Sequence, residues 1–155
     1  MPPPPGGQHG AVTNDISAFA AAFAIEHGLG QGFASETGFV IARDPDTVRA
    51  PDWAFVRKSR LKGLLSKKHV PVAPDLVLET RSPTDTRPEV AYKIEIWLQA
   101  GVTLVWEVDP EAQRVTVHRA GRPPIFLTSS DTLSGEDVLP GFELQLSKVF
   151  RSASS

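Results

Sequence analysis

The chain contains no cysteine. That excludes disulfides and thiolate metal sites, and it fits a reducing compartment, so a cytoplasmic location is the expectation. No run of 18 or more apolar residues occurs, so no membrane-spanning segment is expected. The N-terminal stretch MPPPPGGQHG has neither a basic start nor an apolar centre and does not read as a secretory signal. Excess charge of one sign is also missing: 16 Lys and Arg against 18 Asp and Glu leave a net charge of −2. The balance argues mildly against strong, non-specific DNA binding. There is no phosphate-cradling glycine loop, no H-E-x-x-H and no G-x-S-x-G, and His27, His69 and His118 lack metal-ligand spacing. No small-molecule cofactor is expected.

What remains is a chain of 155 residues with 41% apolar content, enough for one domain with a proper core. Residues 1–10 are expected to be a flexible Pro/Gly-rich start, 11–150 a single domain and 151–155 a flexible tail. Asn14 or Asp15 can cap a helix running to about His27, with Ile16, Phe19, Ala20, Phe23 and Ile25 at helical spacing. Short strands are expected at Phe39–Ile41, Asp52–Val56 and Leu76–Leu78, the last purely aliphatic and so covered on both faces. Between the last two lies a basic insertion, 57–73, in which Leu61, Leu64 and Leu65 suggest a helical turn. Ser82–Asp85 reads as a turn and cap for a helix to about Ala100, its apolar face carrying Val90, Ile94, Trp97 and Leu98. Val102–Val108 is a buried strand and Arg114–Arg119 its hairpin partner; Phe126-Leu127 and Leu139–Leu144 add further β structure. The order implies an α/β domain.

One constellation carries chemistry. Hydrolysis of a phosphodiester needs a positioned water and relief of charge on the phosphate, and a divalent ion held by carboxylates supplies both. Asp75 and Glu79 share a face of one strand but lie four residues, about 13 Å, apart, too far to share an ion. If the strand opened by Asp52 runs antiparallel to the one ending at Glu79, Asp52 stands beside Glu79. Asp52 and Glu79 are therefore the expected metal ligands, and Asp75 is demoted to holding the incoming loop or to a minor substrate contact. Lys93, from the following helix, is expected to face inward as the catalytic base or charge stabiliser. Arg81, which cannot act as a base, suits a phosphate contact. His9 is a loop histidine that could reach phosphate or metal. Trp53, Trp97 and Trp106 read as core. Arg57, Lys58, Arg60, Lys62, Lys67 and Lys68 crowd one stretch, either as a solvated loop or as a phosphate-facing rim beside the acids.

The ordered segments PDWAFV, PDLVLETRSPTD, KIEIWLQAGV, LVWEVDPEAQRVTVHR and VLPGFELQLSKVF resemble the Uma-two family of putative restriction endonucleases, of the PD-(D/E)XK nuclease superfamily. The likeness runs from about His9 to Phe150. It implies a restriction-endonuclease-like core of helix, three-strand antiparallel meander, helix and strand, with extra C-terminal strands. It further implies hydrolysis of DNA with Mg²⁺ or Mn²⁺, and Asp52, Glu79 and Lys93 as the catalytic set, the lysine having moved from the slot held by Arg81. The family's tyrosine four residues after the lysine is Trp97 here. A homodimer is similar to what many nucleases of this fold form. Family members usually begin with a further strand-like segment, and Met1 falls inside the part that follows it. An exposed sheet edge or a partner strand is then expected, and the alternative function is a catalytically weak or inactive nuclease-fold module that binds nucleic acid or a protein partner.

Overall fold

The computed structural model describes residues 6–151, so the flexibility expected of 1–5 and 152–155 lies outside the described residues. The chain opens with helix α1, Gly7–His27, and then strand β1, Gly30–Phe33. A small hairpin follows, β2 (Phe39–Ala42) with β3 (Thr47–Arg49). Strand β4 spans Trp53–Arg57, β5 Leu76–Thr80, helix α2 Arg87–Gln99, β6 Leu104–Asp109, β7 Arg114–His118 and β8 Ile125–Thr128. The ribbon of β9 (Thr132–Ser134) and β10 (Glu143–Gln145) closes the chain.

Six strands form one sheet in the order β1-β4-β5-β6-β7-β8. The antiparallel meander β1-β4-β5 leads through α2 into β6, which lies parallel to β5. A parallel pair needs such a crossover, and a helix is the usual one. The expected helix–meander–helix–strand core with C-terminal β additions is thus the observed one. Alternation sorts the side chains. One face carries Trp53, Phe55, Leu76, Leu78, Leu104, Trp106 and Val108 and packs under α1 and the C-terminal ribbon. The other carries Val77 and Val105 under α2, and Ala54 and Val56 under the hairpin and the insertion.

Several boundaries differ from the sequence expectation. Helix α1 begins at Gly7, not at a cap on Asn14 or Asp15, so residues 7–10 belong to it. Its first turns are anchored by tertiary bonds, Gln8 to the Pro110 carbonyl and Thr13 to Thr80, which override weak helix formers. Its buried stripe is Val12, Ile16, Ala20 and Ala24, while Phe19 and Ile25 face outward, because small residues let the helix approach the sheet closely. Helix α2 is capped by Thr86, not within Ser82–Asp85; Thr86 and Glu89 form a reciprocal capping box, and Asp85 instead closes the preceding turn. The first meander strand is Gly30–Phe33, whereas Phe39–Ile41 belongs to the side hairpin. The sequence GQGF has no apolar alternation; its glycines answer a steric need. A Cβ on Gly32 would lie 2.7 Å from the Trp53 ring, and one on Gly30 would meet the Val56 carbonyl. The insertion after β4 holds one 3-10 turn, Lys58–Arg60, with Leu64 buried and Leu65 exposed.

Replacing Gly32 by valine forces side-chain carbons into the Trp53 ring. The expected cost is about 1–3 kcal/mol, read as a lower urea midpoint with an unchanged slope.

Candidate active site

The site forms where β5 ends and β4 begins. Trp53 pairs with Leu78 in the β4–β5 ladder, which sets Asp52 opposite Glu79. Both point to the α2 face, since their neighbours Trp53 and Leu78 point into the core beneath α1. The two acids are interlocked. The Asp52 amide donates to Glu79 Oε1 at 3.3 Å, and the Thr80 amide donates to Asp52 Oδ2 at 2.7 Å. These bonds hold the carboxylates together at the sheet end rather than leaving them to solvent.

Each helix adds a group. From α2, the Trp97 indole Nε1–H donates to Glu79 Oε2 at 3.1 Å. From α1, His9 Nε2 lies 2.9 Å from the Thr80 carbonyl and 3.7 Å from Asp52 Oδ2. Thr13 donates to the Thr80 hydroxyl at 2.7 Å, fixing the helix to the same strand end. His9 is therefore a helical residue at the site, not a loop histidine. Trp97 is core and site at once, which hydrophobic patterning alone misses. A signal was present: a buried indole N–H needs an acceptor, and Trp97 stands four residues beyond Lys93 on one helix face.

Burial pushes the Glu79 carboxyl up from its ordinary 4.5 to about 7, and the negative charge of Asp52 adds to this. The Trp97 bond, the Lys93 charge and the Asp52 amide work in the opposite direction. Lys93 is exposed on the flank of the Val90–Ile94–Trp97 stripe and forms no ion pair among the described residues. The sequence pattern put it facing inward; the structure leaves the residue exposed, near enough for its charge to act on Glu79. A long stem that keeps its charged end wet explains the difference.

Arg81 follows β5 but is held elsewhere, 3.6 Å from Asp109 and bonded to the Asp85 carbonyl at 3.3 Å. Asp75, at the opposite end of β5 from Glu79, is buried and takes the Arg57 amide at 2.8 Å and Arg60 at 2.9 Å. It fastens the chain leaving β4. Arg57 and Arg60, from the basic stretch, are thus spent at the far end of the sheet and form no rim beside the acids. Among the described residues no group of three or more His, Cys, Asp and Glu is placed to hold a metal. Two carboxylates do fit Mg²⁺, which takes one or two together with waters and substrate oxygens. Their lone pairs are not exhausted by the bonds described.

A mixed sheet with an antiparallel three-strand meander, a helical crossover to a parallel strand and paired acids at the sheet end has the architecture of the restriction-endonuclease-like nucleases. The Uma2 family, described as "Putative restriction endonuclease", matches residues 1–147, and the chain belongs to it. Five solved chains resemble the fold. One is the crystal structure of "a putative nuclease belonging to DUF820" from Anabaena variabilis ATCC 29413, with a TM-score of 0.83 at 20% identity over 96% of this chain and 83% of that one. No curated protein matches the chain. Family and fold indicate a restriction-endonuclease-like nuclease. Among the described residues no helix is long and apolar enough to cross a membrane.

Two outcomes test this description. Because the folded Glu79 carboxyl titrates higher than the unfolded one, its protonation contributes stability that is fully present below about pH 4.5 and lost as pH rises through about 7. In chelator, Glu79→Gln is then more stable than wild type near pH 8, by up to about 3 kcal/mol, and the gap closes towards pH 4.5; a gap independent of pH contradicts the assigned burial. Asp75→Ala is expected to lower stability by roughly 2–3 kcal/mol, since it strands Arg57 and Arg60. Metal affinity in that variant should stay at the wild-type value by calorimetry.

Proposed function

We propose that the protein is a divalent-metal-dependent endonuclease that hydrolyses phosphodiester bonds in DNA, with Asp52 and Glu79 as ligands of Mg²⁺ or Mn²⁺ and Lys93 as the basic residue. The observation that carries this is the interlocked Asp52–Glu79 pair beside the one lysine whose charge acts on Glu79. When bound, the ion supplies Lewis-acid activation of the phosphate and a more acidic attacking water. The chain's own groups do the rest. Trp97 fixes the Glu79 carboxylate in one orientation. The Thr80 amide does the same for Asp52. Lys93 swings from solvent onto the scissile phosphate, where its ammonium offsets the charge that builds as water attacks phosphorus and the bond to the leaving oxygen breaks. Arg81, shared with Asp109, contacts a neighbouring phosphate as part of that pair, and His9 holds the start of α1 against Thr80.

A second reading, a nuclease-fold module that binds nucleic acid or a protein partner with little or no turnover, is favoured by the solvent exposure of Lys93.

With Mg²⁺ or Mn²⁺ the purified protein should nick supercoiled plasmid. Glu79→Ala and Asp52→Ala should abolish nicking, and Lys93→Ala should slow it by 100-fold or more, within the range of about 10²–10³ for loss of one charge-stabilising group. Calorimetric titration of Mg²⁺ should show one site in wild type and none in Asp52→Ala. Metal and DNA binding without nicking would select the second reading; absence of metal binding in wild type would remove the first.

A further inference from the structure

On the α2 side the sheet is only partly roofed. The helix covers Val77 of β5 and Val105 of β6. Beyond it, the same face of β6, β7 and β8 carries Glu107, Thr116, His118 and Phe126, and a cleft of about 530 Å³ separates these strands from the helix. That volume falls within the range of about 300–1,000 Å³ seen for ligand sites.

The walls differ in chemistry. The helix side carries the apolar Val90, Ile94 and Leu98 together with the charged Arg87 and Glu95. The far side ends on Phe126, which pairs with Thr116 in the β7–β8 ladder and is 61% exposed. Strand β8 is an edge strand, so the Phe126 ring is open to the cleft. The Arg114 guanidinium stands 5.8 Å from the centre of that ring. Arg87 lines the helix rim, and neither arginine forms an ion pair among the described residues. On the floor His118 Nε2 meets Glu107 Oε1 at 2.8 Å, beside Thr116. Glu107 is the neighbour of Glu79 across the parallel β5–β6 ladder, and adjacent strands lie about 4.8 Å apart. The cleft therefore begins one strand away from the paired acids, and Arg81 lines its near end.

Apolar side chains facing an exposed aromatic ring suit a flat, uncharged ring system. Guanidinium groups that pair with no carboxylate suit an attached phosphate. A hydrogen-bonding pair on the floor suits the polar edge of a nucleobase. We propose that this cleft is a nucleotide subsite that seats one base of the DNA strand beside the paired acids, with the base stacked on Phe126, its edge at Glu107 and His118, and a flanking phosphate at Arg114 and Arg87. The proposal rests on the nuclease reading, which supplies the substrate class, but it makes its own prediction in the absence of metal.

The test is anisotropy of a labelled single-stranded DNA oligonucleotide with the full chain in chelator, where no cleavage occurs. Phe126→Ala should weaken binding about 10-fold, within the range for loss of one base stack, and Phe126→Trp should restore it. Arg114→Ala should weaken binding and reduce its salt dependence by about one phosphate contact. Melting curves confirm that each variant is folded, and Phe126 is exposed enough to tolerate change. Oligonucleotide binding that ignores both Phe126→Ala and Arg114→Ala overturns the subsite even where wild type nicks plasmid. A Phe126 effect in a protein that neither binds Mg²⁺ nor nicks leaves the subsite standing and removes the nuclease reading. Equal affinity for deoxyadenosine monophosphate and the oligonucleotide overturns the assignment to a strand and makes the cleft a free-nucleotide site. No binding to wild type overturns it outright.

Discussion

The register of β4 on β5 is the constraint from which the rest of the site follows. Trp53 opposes Leu78 and Phe55 opposes Leu76, and all four are buried beneath α1 and the C-terminal ribbon. A slip of one residue would turn these side chains to the other face and bury Asp52 among them. Burial of that apolar set is worth several kcal/mol, which offsets the cost of bringing two acids together. The hydrophobic core thus enforces a carboxylate pair that the carboxylates would not form by themselves, and the raised Glu79 is the trace of that enforcement.

Strand β5 is also where the sheet changes character. It pairs antiparallel with β4 and parallel with β6, so α2 must cross over between them and its side chains arrive above the end of β5. Trp97 reaches Glu79 for this reason, and Lys93, one helical turn earlier, brings its charge to the same carboxylate. Helix α1 approaches from the opposite face, and its first turns meet Thr80, the residue after Glu79. Four elements thereby converge on two consecutive residues.

The distribution of charge follows the same geometry. A chain of net charge −2 has no cation surplus to spread over a DNA surface. Arg57 and Arg60 neutralise Asp75 at the far end of β5, and Arg81 shares Asp109. The cations left near the paired acids are few and local: Lys93, and Arg87 and Arg114 along the neighbouring cleft.

Much of this was readable in the residues. The aliphatic run Leu76–Leu78 announces a strand covered on both faces, and strict alternation then places Glu79 away from the α1 core. Pro51-Asp52 before an apolar run marks a strand start, and the antiparallel assumption alone sets Asp52 beside Glu79. Helix α2 is visible from Val90, Ile94 and Trp97, and the Arg114–His118 strand from its alternation. Other features were not readable. β1 is glycine-rich and carries no apolar period, because its residues are dictated by the Trp53 ring and the Val56 carbonyl that crowd it. The early start of α1 depends on bonds to Thr80 and Pro110, many residues away. The partners of Trp97, Arg81 and Asp75 likewise come from other elements. Local periodicity determines which side chains of a segment turn inward, since that depends only on backbone geometry. Which segments become neighbours, and so which polar groups find each other, was decided by packing the whole chain around one sheet, a property no window of sequence contains.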